Sequence, residues 1–195
     1  MTLNEKYVIM PRSELSDGVI TLRPLQQEDI ENIRLWRNAQ MDVLRQARPI
    51  SPEEQARYFE QHVWPEKKSS QPRQILLGVE LSNKLIGYGG LVNLHWADQR
   101  AEISFLLSDE IEVQPALRAE IFKRFLLLIR ELSLECLGLK RIWTETYSFR
   151  KAHIKTLESS GFKLEGCLRK HVIINGERVD SLIHGIICGD HEPGG

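Results

Sequence analysis

The chain is short of every feature that would commit it to a membrane, a disulfide framework or a metal. Its longest apolar run, 125–129, is far too brief to cross a bilayer. Only three cysteines occur, Cys136, Cys167 and Cys188, and they show no paired spacing. That pattern predicts small buried hydrophobes in a reducing compartment, not a disulfide scaffold or a zinc site. The six histidines lack ligand spacing, so no metal is expected. Neither sign of charge is in excess: 26 Lys and Arg stand against 27 Asp and Glu, a net charge of −1. General binding to nucleic acid or an anionic membrane needs a basic surplus, and neither partner is predicted. The first dozen residues carry acid and have no apolar stretch of signal-peptide length, which predicts a soluble, cytoplasmic protein. Glycine is absent between Gly90 and Gly138.

What is present is enough apolar residue, 42% of 195, to bury one sizeable core. One domain over 1–195 is expected, with its core at about 18–187, a short N-terminal extension and a disordered tail at 191–195. Alternation over 18–25 predicts a strand. Residues 27–39 place Ile30, Ile33 and Trp36 at helical spacing. Ser51, Pro52 and Glu54 form a strong helix start, with a capping Ser, a first-turn Pro and a reciprocating Glu. That helix is predicted to reach about residue 62, with a polar loop at 67–73. Strands are predicted at 74–81, 85–96 and 99–107. Residues 115–137 are apolar nearly all round and predict a buried central helix. A strand at 140–147, a helix at 149–159 and a hairpin turning at Asn175-Gly176 complete the order. The fold class is α/β (α+β), a mixed but mostly antiparallel central sheet flanked by helices.

Two hairpins carry the candidate chemistry. In LIGYGGLVNLHW-AD-QRAEISFLL, a turn centred on Ala97-Asp98 sets Asn93 opposite Glu102, His95 opposite Arg100 and Leu91 opposite Ser104. Strict alternation then predicts an apolar face holding Tyr88, Val92, Ile103 and Phe105. The other face holds Gly87, Gly89, Asn93, His95, Glu102 and Ser104. Glycines on that polar side leave room for a ligand or another backbone. Glu102 and its neighbours form either a reaction surface or simple cross-strand polar pairs. In the final hairpin the two-residue turn sets His171 opposite Asp180 and Arg169 opposite Leu182. His171 and Asp180 are expected to pair, while Arg169 and His184 are candidates for a ligand cleft. The arginines Arg34, Arg37, Arg45 and Arg48 form a local cluster, either a solvated helix face or a contact for an acidic group.

The order from 137 to 185, LGLKRIWTETYSFRKAHIKTLESSGFKLEGCLRKHVIINGERVDSLIHG, runs strand, short helix, Ser160-Gly161-Phe162 corner and antiparallel hairpin. It resembles the C-terminal half of the GNAT acyltransferase family, especially the branch that acetylates ribosomal-protein N-termini and amino sugars. The resemblance extends over about 18–187. It implies transfer of an acetyl group from acetyl-CoA, as co-substrate and without metal, to a small-molecule amine. Glu102 would be the base and Tyr147 the acid for the leaving thiolate. Asn93, His95, Arg37 and Arg169 would contact the acceptor. Backbone groups at Phe105, Leu106 and Leu107 would hold the pantetheine arm and thioester. Gln114, Ala116, Leu117 and Arg118 would stand near the pyrophosphate, with Arg150 and His153 beside the cofactor. The family's glycines before the long helix are missing from SDEIEVQPALRAEIFK, which carries Asp109, Glu110 and Glu112 instead. At the short helix, Arg150, His153 and Leu157 stand where the family has Asn, Ser and a Tyr acid. An amino sugar or a protein N-terminus would be the acceptor, with a non-catalytic binding module as the other reading. Edge pairing through the last hairpin would give a homodimer, and the sequence leaves monomer and dimer both open.

Overall fold

Alternation at the start of the chain builds one end of a sheet. In a computed structural model, which describes residues 6–44 and 46–189, Leu15–Ser16 (β1) pairs with Ile20–Pro24 (β2). Ile20 and Leu22 of β2 are fully buried. Arg23 ties this corner together: its guanidinium lies 2.7 Å from Asp29, at the start of α1 (Asp29–Ala39), and 2.6 Å from Glu80 of β3 (Ile75–Leu81). Arg45 and the expected tail at 191–195 lie outside the described residues.

Helix α2 (Pro52–Tyr58) starts with the full capping box: Ser51 accepts from the Glu54 N–H, and the Glu54 carboxylate accepts from the Ser51 N–H. It passes into a π-helical turn at Phe59–Val63, and Pro65–Lys68 forms a 3₁₀ turn where a loop begins in the sequence reading. Three antiparallel strands follow: β3, β4 (Lys84–His95) and β5 (Arg100–Leu107). A short helix α3 (Asp109–Glu112) precedes α4 (Pro115–Arg130), which runs on as a π-helical segment at Glu131–Cys136. The chain ends with β6 (Arg141–Tyr147), α5 (Lys151–Ser159), β7 (Lys163–Ile174) and β8 (Glu177–Ile187).

The eight strands lie in the order β1-β2-β3-β4-β5-β6-β8-β7. One face packs on α4 through Phe122, Phe125, Leu126 and Ile129. The other is covered by Ile30 and Ile33 of α1 and by Phe59 and Val63 after α2, against Leu76, Tyr88 and Leu106. Helix α4 is one-sided, not buried all round: Leu127 is half exposed while its neighbours Leu126 and Leu128 are buried. A helix laid on one sheet face leaves its outer stripe in water whatever its composition.

Two bulges correct the expected registers. His95 does face Arg100, but Val92 pairs with Glu102, Leu91 with Ile103 and Gly90 with Ser104. One extra residue between Val92 and His95, with Asn93 at φ +50°, shifts everything beyond it. Tyr88 and Val92 therefore share a face with Glu102, Ser104 and Leu106. Gly89 faces α4, where an added Cβ would come 2.8 Å from the Phe125 ring. The glycine admits a helix side chain, not a ligand. In the last hairpin Val172 faces Val179 as expected, but a second irregularity then sets Leu168 opposite Ser181 and Cys167, not Arg169, opposite Leu182.

Strands β5 and β6 are the only parallel neighbours among the described strands, and they pair only at Arg100↔Arg141, Ala101↔Ile142 and Glu102↔Trp143. Beyond Glu102 they part. Among the described residues, no helix is long and apolar enough to cross a membrane, and no cluster of three or more metal-ligating side chains occurs.

Candidate active site

The parting of β5 and β6 opens a cavity of about 260 Å³ inside the sheet, and both strands line it with their side chains and backbone. Parallel pairing puts residues level with one another on a common face, so Glu102 and Ser104 of β5 share a face with Glu145 and Tyr147 of β6. Thr144 and Thr146 turn to the other face, toward α4 and α5. Within the gap, the Ile103 carbonyl accepts from the Thr144 hydroxyl at 3.4 Å. By alternation Phe105 turns its N–H and C=O the same way, into the part of the gap that no strand fills.

On the first face Glu102 is half-buried and accepts from Asn93 Nδ2 at 2.7 Å. The bulge makes this contact, because it swings Asn93 out of the regular ladder. Glu145, with only 8% of its side chain exposed, lines the cavity from β6, and the His171 imidazole stands 3.9 Å from it. Tyr147 is buried and lines the cavity, and its hydroxyl has no hydrogen-bond partner among the described residues. On the second face the buried His153 stacks on Phe122, ring centroids 3.9 Å apart. Burial, with Arg150, Arg118 and His184 nearby, holds its pKa well below the ordinary 6.5, so the imidazole is neutral at neutral pH.

Arg150 lines this cavity and also a surface cleft of about 420 Å³ shared with Arg118, Lys151, Glu112 and Asp42. Its guanidinium has no carboxylate within ion-pair reach among the described residues, and burial lowers its pKa. Arg118 lies 3.7 Å from Glu112. Three cations thus stand with two carboxylates beside the first turn of α4, whose N–H groups and dipole also favour an anion. These residues fit a CoA: an open strand edge for the amides of its arm, and Arg150, Arg118 and Lys151 for its phosphates. The glycine-free segment before α4 forms the short helix α3.

Several residues expected at the site stand elsewhere. His95 is exposed at the hairpin end, with Nδ1 3.1 Å from Asp98. Arg169 is exposed on β7, and His184 is fully buried beneath α5, 3.6 Å from Glu158. Asp180 accepts from the Lys170 N–H at 2.7 Å and does not pair with His171. The side chains of Leu106 and Leu107 belong to the core, and the Leu107 carbonyl accepts from Gln40 Nε2 at 2.8 Å. Gln114, Ala116 and Leu117 form the entry of α4 and line neither cavity nor cleft. Arg37 lines a second cavity on the α1–α2 side and donates to the Tyr88 hydroxyl at 2.9 Å. Alternation set Ser104 beside Glu102 on the polar face, where it lines the cavity, and left Glu145 and Thr144 unremarked. A glutamate sharing parity with the aromatics Trp143 and Tyr147 was the available signal for Glu145.

Comparison with known proteins agrees with this fold. The profile of a family described as an acetyltransferase (GNAT) domain matches residues 22–183. The structure of spermidine N-acetyltransferase from Vibrio cholerae in complex with CoA and spermine superposes with a TM-score of 0.75 at 21% identity, covering 88% of this chain and 96% of that one. A putative acetyltransferase superposes with a TM-score of 0.64 at 17% identity, covering 90% of this chain and 87% of that one. At these identities the structural likeness speaks for the fold. A comparison with curated proteins found no match.

Proposed function

Because the chain belongs to the acetyltransferase (GNAT) domain family, we propose that it transfers an acetyl group from acetyl-CoA to a primary amine within the gap between β5 and β6. The observation that carries this reading is the three-pair limit of that strand pairing, which leaves the Phe105 backbone open beside a carboxylate on one face and unpaired basic charge at the far end.

Acetyl-CoA supplies an activated acetyl carbonyl as a thioester. Glu102, fixed by Asn93, takes the proton from the acceptor ammonium, directly or through one water. Backbone N–H groups at the open edge of β5 offer donors where the carbonyl oxygen gathers charge. The nitrogen forms its bond to the carbonyl carbon as the carbon–sulfur bond breaks; the Tyr147 hydroxyl gives its proton to the departing sulfur, and the nitrogen's second proton passes, directly or through water, to the tyrosinate left behind. Arg150, Arg118 and Lys151 hold the phosphates. The acceptor is a small-molecule amine. An amino sugar and a protein N-terminus are the classes named by family resemblance, and the spermidine enzyme with the same fold adds polyamines.

Calorimetry with acetyl-CoA tests this directly. Micromolar binding is the expected outcome, followed by thiol release with an amine panel. The Glu102→Gln chain should bind acetyl-CoA equally well and lose about a hundredfold or more in turnover. A second reading, a GNAT-fold binding module, draws on the α3 insertion and the Glu112–Arg118 contact at the phosphate end. Absence of acetyl-CoA binding up to millimolar concentration would overturn the transferase and favour the module.

A further inference from the structure

The second cavity, about 300 Å³, shares Val92 and Ser104 with the reaction cavity and extends from it under α1 and α2. Its floor is apolar, built of Ile33, Phe59 and Leu76. Of its polar groups, Tyr58 and Gln74 already bond one another at 3.3 Å. Arg37 enters from α1 and spends one N–H on the Tyr88 hydroxyl, which leaves the rest of its donor fork free. No carboxylate lies within ion-pair reach of Arg37 among the described residues. The one acidic side chain on the lining, Glu54, is already held by Arg48 at 2.6 Å and by the Ser51 N–H, and Arg48 draws its pKa down to about 2.

Gln55 provides the second, independent observation. It is 3% exposed, lines the cavity, and its amide makes no hydrogen bond among the described residues. None of its side-chain polar atoms is shut off from solvent without a partner, so the amide opens onto the cavity and can donate and accept there. The Tyr88 hydroxyl, accepting from Arg37, also keeps its own proton to donate. Burial raises its pKa, so that proton stays in place at neutral pH.

Position then fixes the order of groups along a ligand. Tyr88 is level with Leu106, and Val92 is level with Glu102. Four residues of strand separate the Arg37–Tyr88 end from the Glu102 end, roughly 13 Å along the sheet at the usual rise. A ligand with its amine at Glu102 therefore passes Ser104, lays an apolar segment on the floor, and brings its far end to Arg37, Tyr88 and Gln55.

We infer that the acceptor is a primary amine whose apolar body ends in a carboxylate, read by Arg37 with Tyr88 and Gln55. The inference rests on the acetyltransferase reading and narrows its acceptor class. A carboxylate matches the guanidinium fork and draws charge-assisted bonds from it. A second ammonium at the same place would meet the like charge of Arg37, and a polyhydroxylated ring would lay hydroxyls against Ile33, Phe59 and Leu76.

The test uses the full chain, acetyl-CoA and three amines of matched length: aminohexanoate, hexylamine and diaminohexane, with thiol release as the readout. Acetyl-CoA binding is measured first on the same preparation, so that failure of the transferase reading is seen separately. The expected result is a kcat/KM for aminohexanoate about tenfold or more above that for hexylamine, with diaminohexane the poorest. Arg37→Met should raise KM for aminohexanoate about tenfold or more relative to its effect on KM for hexylamine, which abolishes the preference between the two. Gln55→Leu, which removes an amide with no internal partner, should move KM the same way without loss of melting temperature. Should Arg37→Met fail to fold, Gln55→Leu and the amine ranking still decide the matter. Acetyl-CoA binding accompanied by preference for diaminohexane, by equal rates for all three amines, or by no transfer to aminohexanoate overturns the inference while leaving the cofactor site standing.

Discussion

Asn93 does two things at one position, and they are separable. Its backbone takes φ +50°, a conformation tolerated by Asn better than by most residues, and its side chain donates to Glu102. Asn93→Gly keeps the first and removes the second. Turnover should fall with little change in melting temperature, whereas Asn93→Val should lower both. Arg150 makes a sharper case for charge. Arg150→Gln should weaken acetyl-CoA binding about tenfold, read by calorimetry, while turnover with an acetylated pantetheine fragment that carries no phosphate stays unchanged. His153 affects stability through its proton. Its pKa in the folded chain lies well below the 6.5 of an exposed histidine, because the site is buried and faces Arg150, Arg118 and His184. Below about pH 6.5 the unfolded chain binds a proton that the folded chain refuses, so stability falls as the pH drops through that range. Urea melts at pH 7.5 and 5.5 should show a smaller acid loss for His153→Gln than for the natural chain.

At the scale of elements, local chemistry was legible wherever a short-range rule decides. The Ser51 capping box formed as the sequence implies, and Ser51→Ala should lower unfolding free energy by about 1 kcal/mol, measured by denaturant titration. The Asn175-Gly176 turn likewise sits where expected, with Ile174 facing Glu177. The strand registers were legible only as far as the first irregularity. Counting from the Ala97-Asp98 turn gives His95 opposite Arg100, but nothing local distinguishes Asn93 as the place where a residue is added. One such residue exchanges the faces of Tyr88 and Gly89. The error propagated into the site: Gly89, assigned to a ligand, meets Phe125, and Tyr88 and Val92, assigned to the opposite face, stand with Glu102 and Ser104. Helix α4 was more legible than an apolar-all-round reading allows, since Arg118, Glu120, Lys123, Arg124 and Arg130 mark the stripe turned away from the core. The β-branched and aromatic strand 141–147 was legible as a strand, but the importance of Glu145 depends on where β5 and β6 stop pairing, a non-local property.

Across the whole molecule three hollows adjoin one another. The cleft at Arg118 and Lys151 shares Val43 and Arg150 with the cavity between β5 and β6, which in turn shares Val92 and Ser104 with the pocket under α1 and α2. In that order their linings go from basic to apolar. A ligand that binds only the folded chain adds to stability by mass action, about 2.7 kcal/mol at a hundred times its dissociation constant. Acetyl-CoA at that excess should therefore raise the melting temperature, and Arg150→Gln should reduce the rise at equal concentration. The open edge of β5 has a consequence of another kind. A strand whose outward amides meet no neighbour leaves a seam through the middle of the sheet, bordered by backbone that nothing shields. In the free chain the Phe105 amide should trade its hydrogen for solvent deuterium far sooner than that of Ala101, which lies within the paired stretch. A bound pantetheine arm would take the place of a missing strand there. Protection gained at Phe105 would then report an occupied seam even before any amine is supplied.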